Sequence, residues 1–107
     1  MKRRYDPISL EVIWSRLTAI VDEVSAALVY SSFSTTVRES NDFACVLMDA
    51  QGNSLAQSTR SIPSFICTLP LSVKKFLQIF PPQTLGPGDV IMSNDPWICT
   101  GHLPDVT

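Results

Sequence analysis

From Asp6 onward, apolar residues return every three or four positions: Leu10, Ile13, Trp14, Leu17, Ile20, Val21, Val24, Ala27 and Leu28. Glu11, Ser15, Arg16, Asp22 and Ser25 fall mainly on the opposite side. This spacing predicts an amphipathic helix running to about Tyr30, with its apolar stripe turned toward a core. Asp6 is suited to cap the free amides at its start, and Pro7 at the first helical position gives up no hydrogen bond. Ser31 to Thr36, which reads Ser-Ser-Phe-Ser-Thr-Thr, predicts the helix end, because short hydroxyl side chains compete for backbone bonds. Val37 to Asp42 then reads as a polar loop.

The pattern next shortens. Phe43 to Met48 predicts a strand, Asp49-Ala50-Gln51-Gly52 a turn in which glycine supplies the difficult dihedral, and Asn53 to Gln57 a returning strand. Cys45 alternates with Phe43 and Leu47, which places it on one strand face. A second helix is predicted from Thr68-Leu69-Pro70, with Leu71, Val73, Phe76, Leu77 and Phe80 apolar and Pro81-Pro82 as its stop. Leu85 to Asp89 reads as a turn, Val90 to Ser93 as a short buried strand, and Asp105-Val106-Thr107 as the first residues of another strand. The expected class is α+β: a long N-terminal amphipathic helix, a β-hairpin, a second helix and short strands, forming an incomplete part of a larger domain.

Composition sharpens that last point. The chain has 107 residues, the size of one domain, yet only 17% are charged, against about 25% in typical globular domains. Together with a mean hydropathy of +0.17, this suggests surface that further protein covers. A net charge of −2 favours neither nucleic acid nor an anionic membrane as partner. Lys2-Arg3-Arg4 reads as a solvated, mobile end, since Asp6, Glu11 and Arg16 interrupt any apolar stretch of signal-peptide type. No apolar run approaches the ~18 residues of a membrane span. Three cysteines, an odd number, fit reduced thiols and a cytoplasmic setting.

Few residues carry recognisable chemistry. Gly86-Pro87-Gly88 lacks a following Lys-Ser/Thr, so it is a turn and not a phosphate cradle. Asp42, with Arg38 close by, suits either a polar substrate or a loop ion pair. Asn94-Asp95-Pro96 reads as a turn initiator directly after the predicted buried strand, where loops are well placed to bind substrate. Asp42, Asn94 and Asp95 are therefore the candidate substrate-binding residues. Cys99 lies near the single histidine, though an activated thiol needs specific neighbours. His102-Leu103-Pro104-Asp105 is the metal candidate: Gly101 and Pro104 bracket a bend, and a turn there would let His102 and Asp105 converge on one divalent ion. One imidazole and one carboxylate suit Mn²⁺, Fe²⁺ or Zn²⁺, with further ligands supplied from elsewhere.

The order of these blocks resembles the hydantoinase B/oxoprolinase family. The matching blocks include Asp6-Pro7-Ile8-Ser9-Leu10-Glu11-Val12-Ile13 and Glu39-Ser40-Asn41-Asp42-Phe43-Ala44-Cys45. Asp49-Ala50-Gln51-Gly52, Ile62-Pro63-Ser64-Phe65, Leu85-Gly86-Pro87-Gly88-Asp89-Val90 and Asn94-Asp95-Pro96-Trp97 continue the series, and Thr100-Gly101-His102-Leu103-Pro104-Asp105-Val106-Thr107 ends it. The resemblance implies that residues 1–107 are the N-terminal segment of a much longer domain. It also implies ATP-dependent opening of cyclic amides such as hydantoins and 5-oxoproline, as in an N-methylhydantoinase B-like subunit. ATP would be handled by a hydantoinase A-like partner subunit or domain. Related ketone carboxylases, among them the acetone carboxylase alpha subunit, imply an alternative chemistry and a metal on His102 and Asp105 with a third ligand beyond Thr107. A noncatalytic truncated product that only docks on partner subunits is the contrasting expectation. Cys67 and Cys99 stand where relatives commonly have glycine; at a positive φ, either would strain its loop by roughly 1 kcal/mol or more.

Overall fold

The computed structural model describes residues 5–107, so the expected solvated end at Lys2-Arg3-Arg4 lies outside the described residues. Helix α1 spans Pro7–Ser31. Its start is the predicted one: the Asp6 carboxylate accepts the Ser9 N–H at 3.2 Å, and proline occupies the first turn. Its end also matches, because the Ser31 hydroxyl turns back onto the Ala27 carbonyl at 2.8 Å while Ser32 leaves the helical region.

The polar loop expected over Val37–Asp42 is instead a short helix, α2, at Thr35–Ser40. The hydroxyl run does two jobs: after it stops α1, its Ser34 side chain accepts the Val37 N–H and caps the new helix. Six residues without an apolar period leave no helical signature in the sequence. Asn41 closes α2 in the left-handed region at φ 52°, a conformation that Asn tolerates better than most residues.

Strands β1 (Val46–Met48) and β2 (Ser54–Gln57) form the predicted antiparallel hairpin, though β1 begins later than Phe43. Val46 faces Gln57 and Leu47 faces Ala56, with a register shift before Met48. Asp49 holds the turn through one carboxylate oxygen that accepts both the Gln51 and Asn53 amides, at 2.9 and 2.8 Å. Gly52 takes φ +76°, and a β-carbon there would also press on Val73 and Lys74 at 3.2 and 3.1 Å. The glycine is thus required both by the turn and by the seat of the hairpin tip on the following helix.

That helix, α3, spans Pro63–Ile79 and encloses Pro70. The start predicted at Thr68-Leu69-Pro70 is therefore corrected: Pro63 occupies the first turn, and Pro70 lies inside. Both prolines carry the same start signal, but the Ile62 N–H bonds to the Phe43 carbonyl at 3.0 Å and fixes the earlier one. Pro81-Pro82 stops the helix as expected, and a single 3₁₀ turn follows at Pro82–Thr84.

Beyond Leu85 the chain is irregular. The Gly86–Asp89 turn forms, with the Asp89 carboxylate accepting the Gly86 amide at 2.7 Å. The buried strand predicted over Val90–Ser93 does not form: Val90 and Met92 are exposed, and a short apolar run needs a neighbouring strand to become one. Ser93 alone pairs, exchanging two 2.9 Å backbone bonds with Thr107.

The buried apolar residues are Val21, Phe43, Ala56 and Phe76. Most of the α1 stripe predicted to face a core is not covered: Leu10, Ile13, Trp14, Ile20, Val24 and Leu28 are all exposed among the described residues. Geometry explains this. A 25-residue helix is about 37 Å long, whereas four-residue β2 covers only about 14 Å.

Asp22 pins α1 to the hairpin. Its carboxylate accepts the Thr59 N–H at 2.8 Å and the Ser58 hydroxyl at 2.9 Å. The Thr59 amide, then the Ser58 hydroxyl, hold its pKa below the usual aspartate value, outweighing the opposing effect of desolvation. A depressed folded value means that this support is complete above the unfolded aspartate pKa of about 3.9 and is lost as pH falls through the folded one. Protection of the Thr59 amide from hydrogen exchange, corrected for intrinsic rate, is therefore expected to fall below about pH 4. Asp22→Asn should remove that pH dependence; an unchanged profile in the variant would contradict the assignment.

Candidate functional site

The segment from Ser93 to Thr107 is a loop closed on itself. Its ends are joined by the Ser93–Thr107 pair, and the Asn94 side-chain amide donates across it to the Leu103 carbonyl at 3.2 Å. Asp95 organises the near side: its carboxylate accepts the Trp97 N–H at 2.9 Å, and its carbonyl accepts the Cys99 N–H at 2.9 Å. These bonds give Asn94 and Asp95, two of the candidate substrate-binding residues, the work of shaping backbone.

The metal candidate lies on the far side of the loop. Gly101 bends the chain at φ +85°, where a side chain would be strained. His102 to Asp105 then form a turn closed by the Asp105 N–H on the His102 carbonyl at 3.3 Å. This is the bend that Gly101 and Pro104 predicted. It brings His102 Nδ1 to 3.8 Å from Asp105 Oδ2. Two ligands at roughly 2.0–2.2 Å from one ion can lie up to about 4.3 Å apart, so the separation fits a shared divalent cation. The donor set, an imidazole and a carboxylate, fits as well. Among the described residues, no group of three or more His, Cys, Asp or Glu side chains is arranged to hold a metal.

Exposure differs sharply within the pair: the His102 side chain is 75% accessible and that of Asp105 only 23%. Asp105 is held inward by Thr100, whose hydroxyl donates to Oδ2 at 2.7 Å. The sequence pattern alone does not single out Thr100. Its signal is a small hydroxyl two residues before a ligand-type histidine. Cys99 donates its thiol toward the Ser93 carbonyl at 3.7 Å, an engagement that does not involve His102. Cys99 and Cys67 both avoid positive φ, so the strain raised by their replacement of glycine does not arise.

Asp105 and Thr100 open onto a cavity of about 520 Å³ whose wall includes Asp42 and Thr36. Leu28, Phe43, Phe65 and Leu69 contribute to the apolar part of that wall. The structure thus brings Asp42 and Asp105 to one cavity, while Asn94 and Asp95 do not line it. Asp42 is placed there by its neighbours: Asn41 ends α2 in the left-handed region, the Phe43 N–H closes a tight turn on the Asn41 carbonyl at 2.8 Å, and Phe43 itself is buried. The ion pair with Arg38 does not form among the described residues. A larger cavity, about 720 Å³, lies between α1, β2 and the start of α3, with Trp14, Thr18, Ser61 and Ile66 in its wall. Ser58 and Thr59 in its wall are already engaged with the Asp22 carboxylate. The smaller cavity is the one with chemistry to spare.

Comparison with known proteins converges on one group. The hydantoinase B/oxoprolinase family model matches residues 6–107. A Pseudomonas sp. protein, provisionally named as the B-type subunit of a D-/L-hydantoinase, is 35% identical over 97% of this chain and 18% of its own length. The 5-oxoprolinase of Saccharomyces cerevisiae is 33% identical over 95% of this chain and 8% of its own. The 5-oxoprolinase of Dictyostelium discoideum is 32% identical, again over 95% and 8%. The chain therefore spans less than a fifth of the length of these relatives. No solved structure matches it significantly.

Proposed function

The chain belongs to the hydantoinase B/oxoprolinase family, and from that premise we propose that it forms the N-terminal segment of the metal-binding subunit of an ATP-dependent cyclic amidohydrolase. The observation that carries this reading is the 3.8 Å His102–Asp105 pair, one member of which opens onto a cavity of small-molecule size. His102 and Asp105 would hold Mn²⁺, Fe²⁺ or Zn²⁺, with the third ligand supplied by another part of the protein. When bound, such a cation polarises a carbonyl or lowers the pKa of a water molecule.

The residues of this chain supply the rest of the local environment. Thr100 fixes the Asp105 carboxylate, leaving Oδ1 for a further contact. The Leu28, Phe43, Phe65 and Leu69 wall excludes water from a planar ring. Asp42 meets the polar edge of the substrate. ATP is handled by a hydantoinase A-like partner subunit or domain, and the three free thiols suit a cytoplasmic location. No helix among the described residues is long and apolar enough to cross a membrane.

The test is metal analysis of the full-length protein, followed by assay with its partner and ATP against hydantoin, 5-oxoproline and a ketone with bicarbonate. The expected result is bound divalent metal and ring opening that depends on ATP. A metal-free protein, or carboxylation of the ketone alone, overturns the proposal.

A further inference from the structure

We propose that Asp42 is the specificity-determining carboxylate of this cavity, accepting a hydrogen bond from the ring N–H of a cyclic amide. The inference rests on reading the cavity as the cyclic-amide site, and it adds the group that tells an amide ring from its isosteres.

Among the described residues, every other aspartate already has a hydrogen-bond donor. Asp6 accepts from Ser9, Asp22 from Thr59, Asp49 from Gln51, Asp89 from Gly86, Asp95 from Trp97 and Asp105 from Thr100. No donor among the described residues reaches the Asp42 carboxylate, and no cation among them pairs with it. Yet its backbone is firmly placed between Asn41 and the buried Phe43, whose carbonyl in turn accepts the Ile62 N–H at 3.0 Å. A carboxylate carried on a fixed backbone, with unused acceptor capacity and on a partly apolar wall, selects a ligand that brings a donor.

The same cavity carries Asp105 and Thr100. A ligand that spans these groups presents its carbonyl toward the His102–Asp105 pair and its donor toward Asp42. A cyclic amide has that pattern in one rigid ring, with the N–H directly beside the carbonyl. A lactone keeps the carbonyl and ring size but turns an oxygen lone pair toward Asp42. A hydrogen bond to a charged acceptor corresponds to about 10- to 100-fold in affinity.

Direct binding of 2-pyrrolidinone and γ-butyrolactone to the full-length, metal-loaded protein tests this by calorimetry or ligand-observed NMR. The native protein is expected to prefer the lactam by about 10- to 100-fold. Asp42→Ala should bring the ratio close to one by weakening lactam binding without weakening lactone binding or lowering metal content, and Asp42→Glu should restore part of the preference. Equal losses for both ligands, a preference that survives Asp42→Ala, or no lactam binding would each overturn the inference. Lactam preference that depends on Asp42 without ATP-dependent turnover would sink the proposed hydrolase and leave this assignment standing.

Discussion

His102→Ala is expected to release the divalent cation from the full-length protein and to lower ATP-dependent ring opening by more than about 100-fold. The magnitude follows from comparison with groups one step further out. Loss of a residue that only orients a metal ligand typically costs about 10–100-fold in affinity or activity, and His102 would be a ligand itself. Thr100 supplies the internal standard. Its hydroxyl holds Asp105 Oδ2 at 2.7 Å without any place in the donor pair, so Thr100→Val should fall in that intermediate range. Metal content by elemental analysis and turnover by product formation should then follow the order native, Thr100→Val, His102→Ala. Full metal occupancy and native turnover in His102→Ala would refute the half-site. The imidazole is 75% exposed, so its removal leaves the packing intact and the comparison is free of misfolding.

The second large effect concerns stability. Phe43 is 7% exposed and joins three parts of the molecule: it follows Asp42, receives the amide of Ile62 on its carbonyl, and lines the cavity. Truncating a buried phenylalanine costs about 3–5 kcal/mol, because the lost contacts leave a void that the surroundings fill only in part. Phe43→Ala should therefore lower the denaturation midpoint of the domain more than truncation of any exposed apolar residue on α1, with Ile8→Ala as the comparison. It should also weaken ligand binding beyond what Asp42→Ala does, since both the apolar wall and the placement of Asp42 depend on it. A loss below about 1 kcal/mol in urea unfolding would show that Phe43 is not a core residue in the assembled protein.

Much of this fold is legible in advance, and the exceptions share a cause. The Asp6-Pro7 start, the Asp49–Gly52 turn and the Pro81-Pro82 stop rest on local chemistry, so they can be read residue by residue. The start of α3 cannot, because Pro63 and Pro70 send the same signal and a tertiary bond at Ile62 decides between them. The buried strand at Val90–Ser93 fails for the opposite reason: a strand depends on a neighbour that no local run of apolar residues guarantees. The candidate site divides likewise. His102 and Asp105 announce themselves by residue type, and Gly101 and Pro104 by the bend between them. That Asp42 shares a cavity with Asp105 is invisible in the sequence, since the chain that separates the two includes both strands and α3.

The closure of the Ser93–Thr107 loop sets how a cation would come and go. Two backbone bonds and the Asn94 clasp hold it. Each is worth about 0.5–1.5 kcal/mol net, so undoing the two backbone bonds takes about 1–3 kcal/mol. At that cost the loop breathes, with roughly one molecule in six to one in 160 open at any instant. A whole domain opens far more rarely, since its unfolding requires about 5–15 kcal/mol. Ion exchange at His102 and Asp105 would then be governed by this local fraying, and its rate would not track the global stability of the protein.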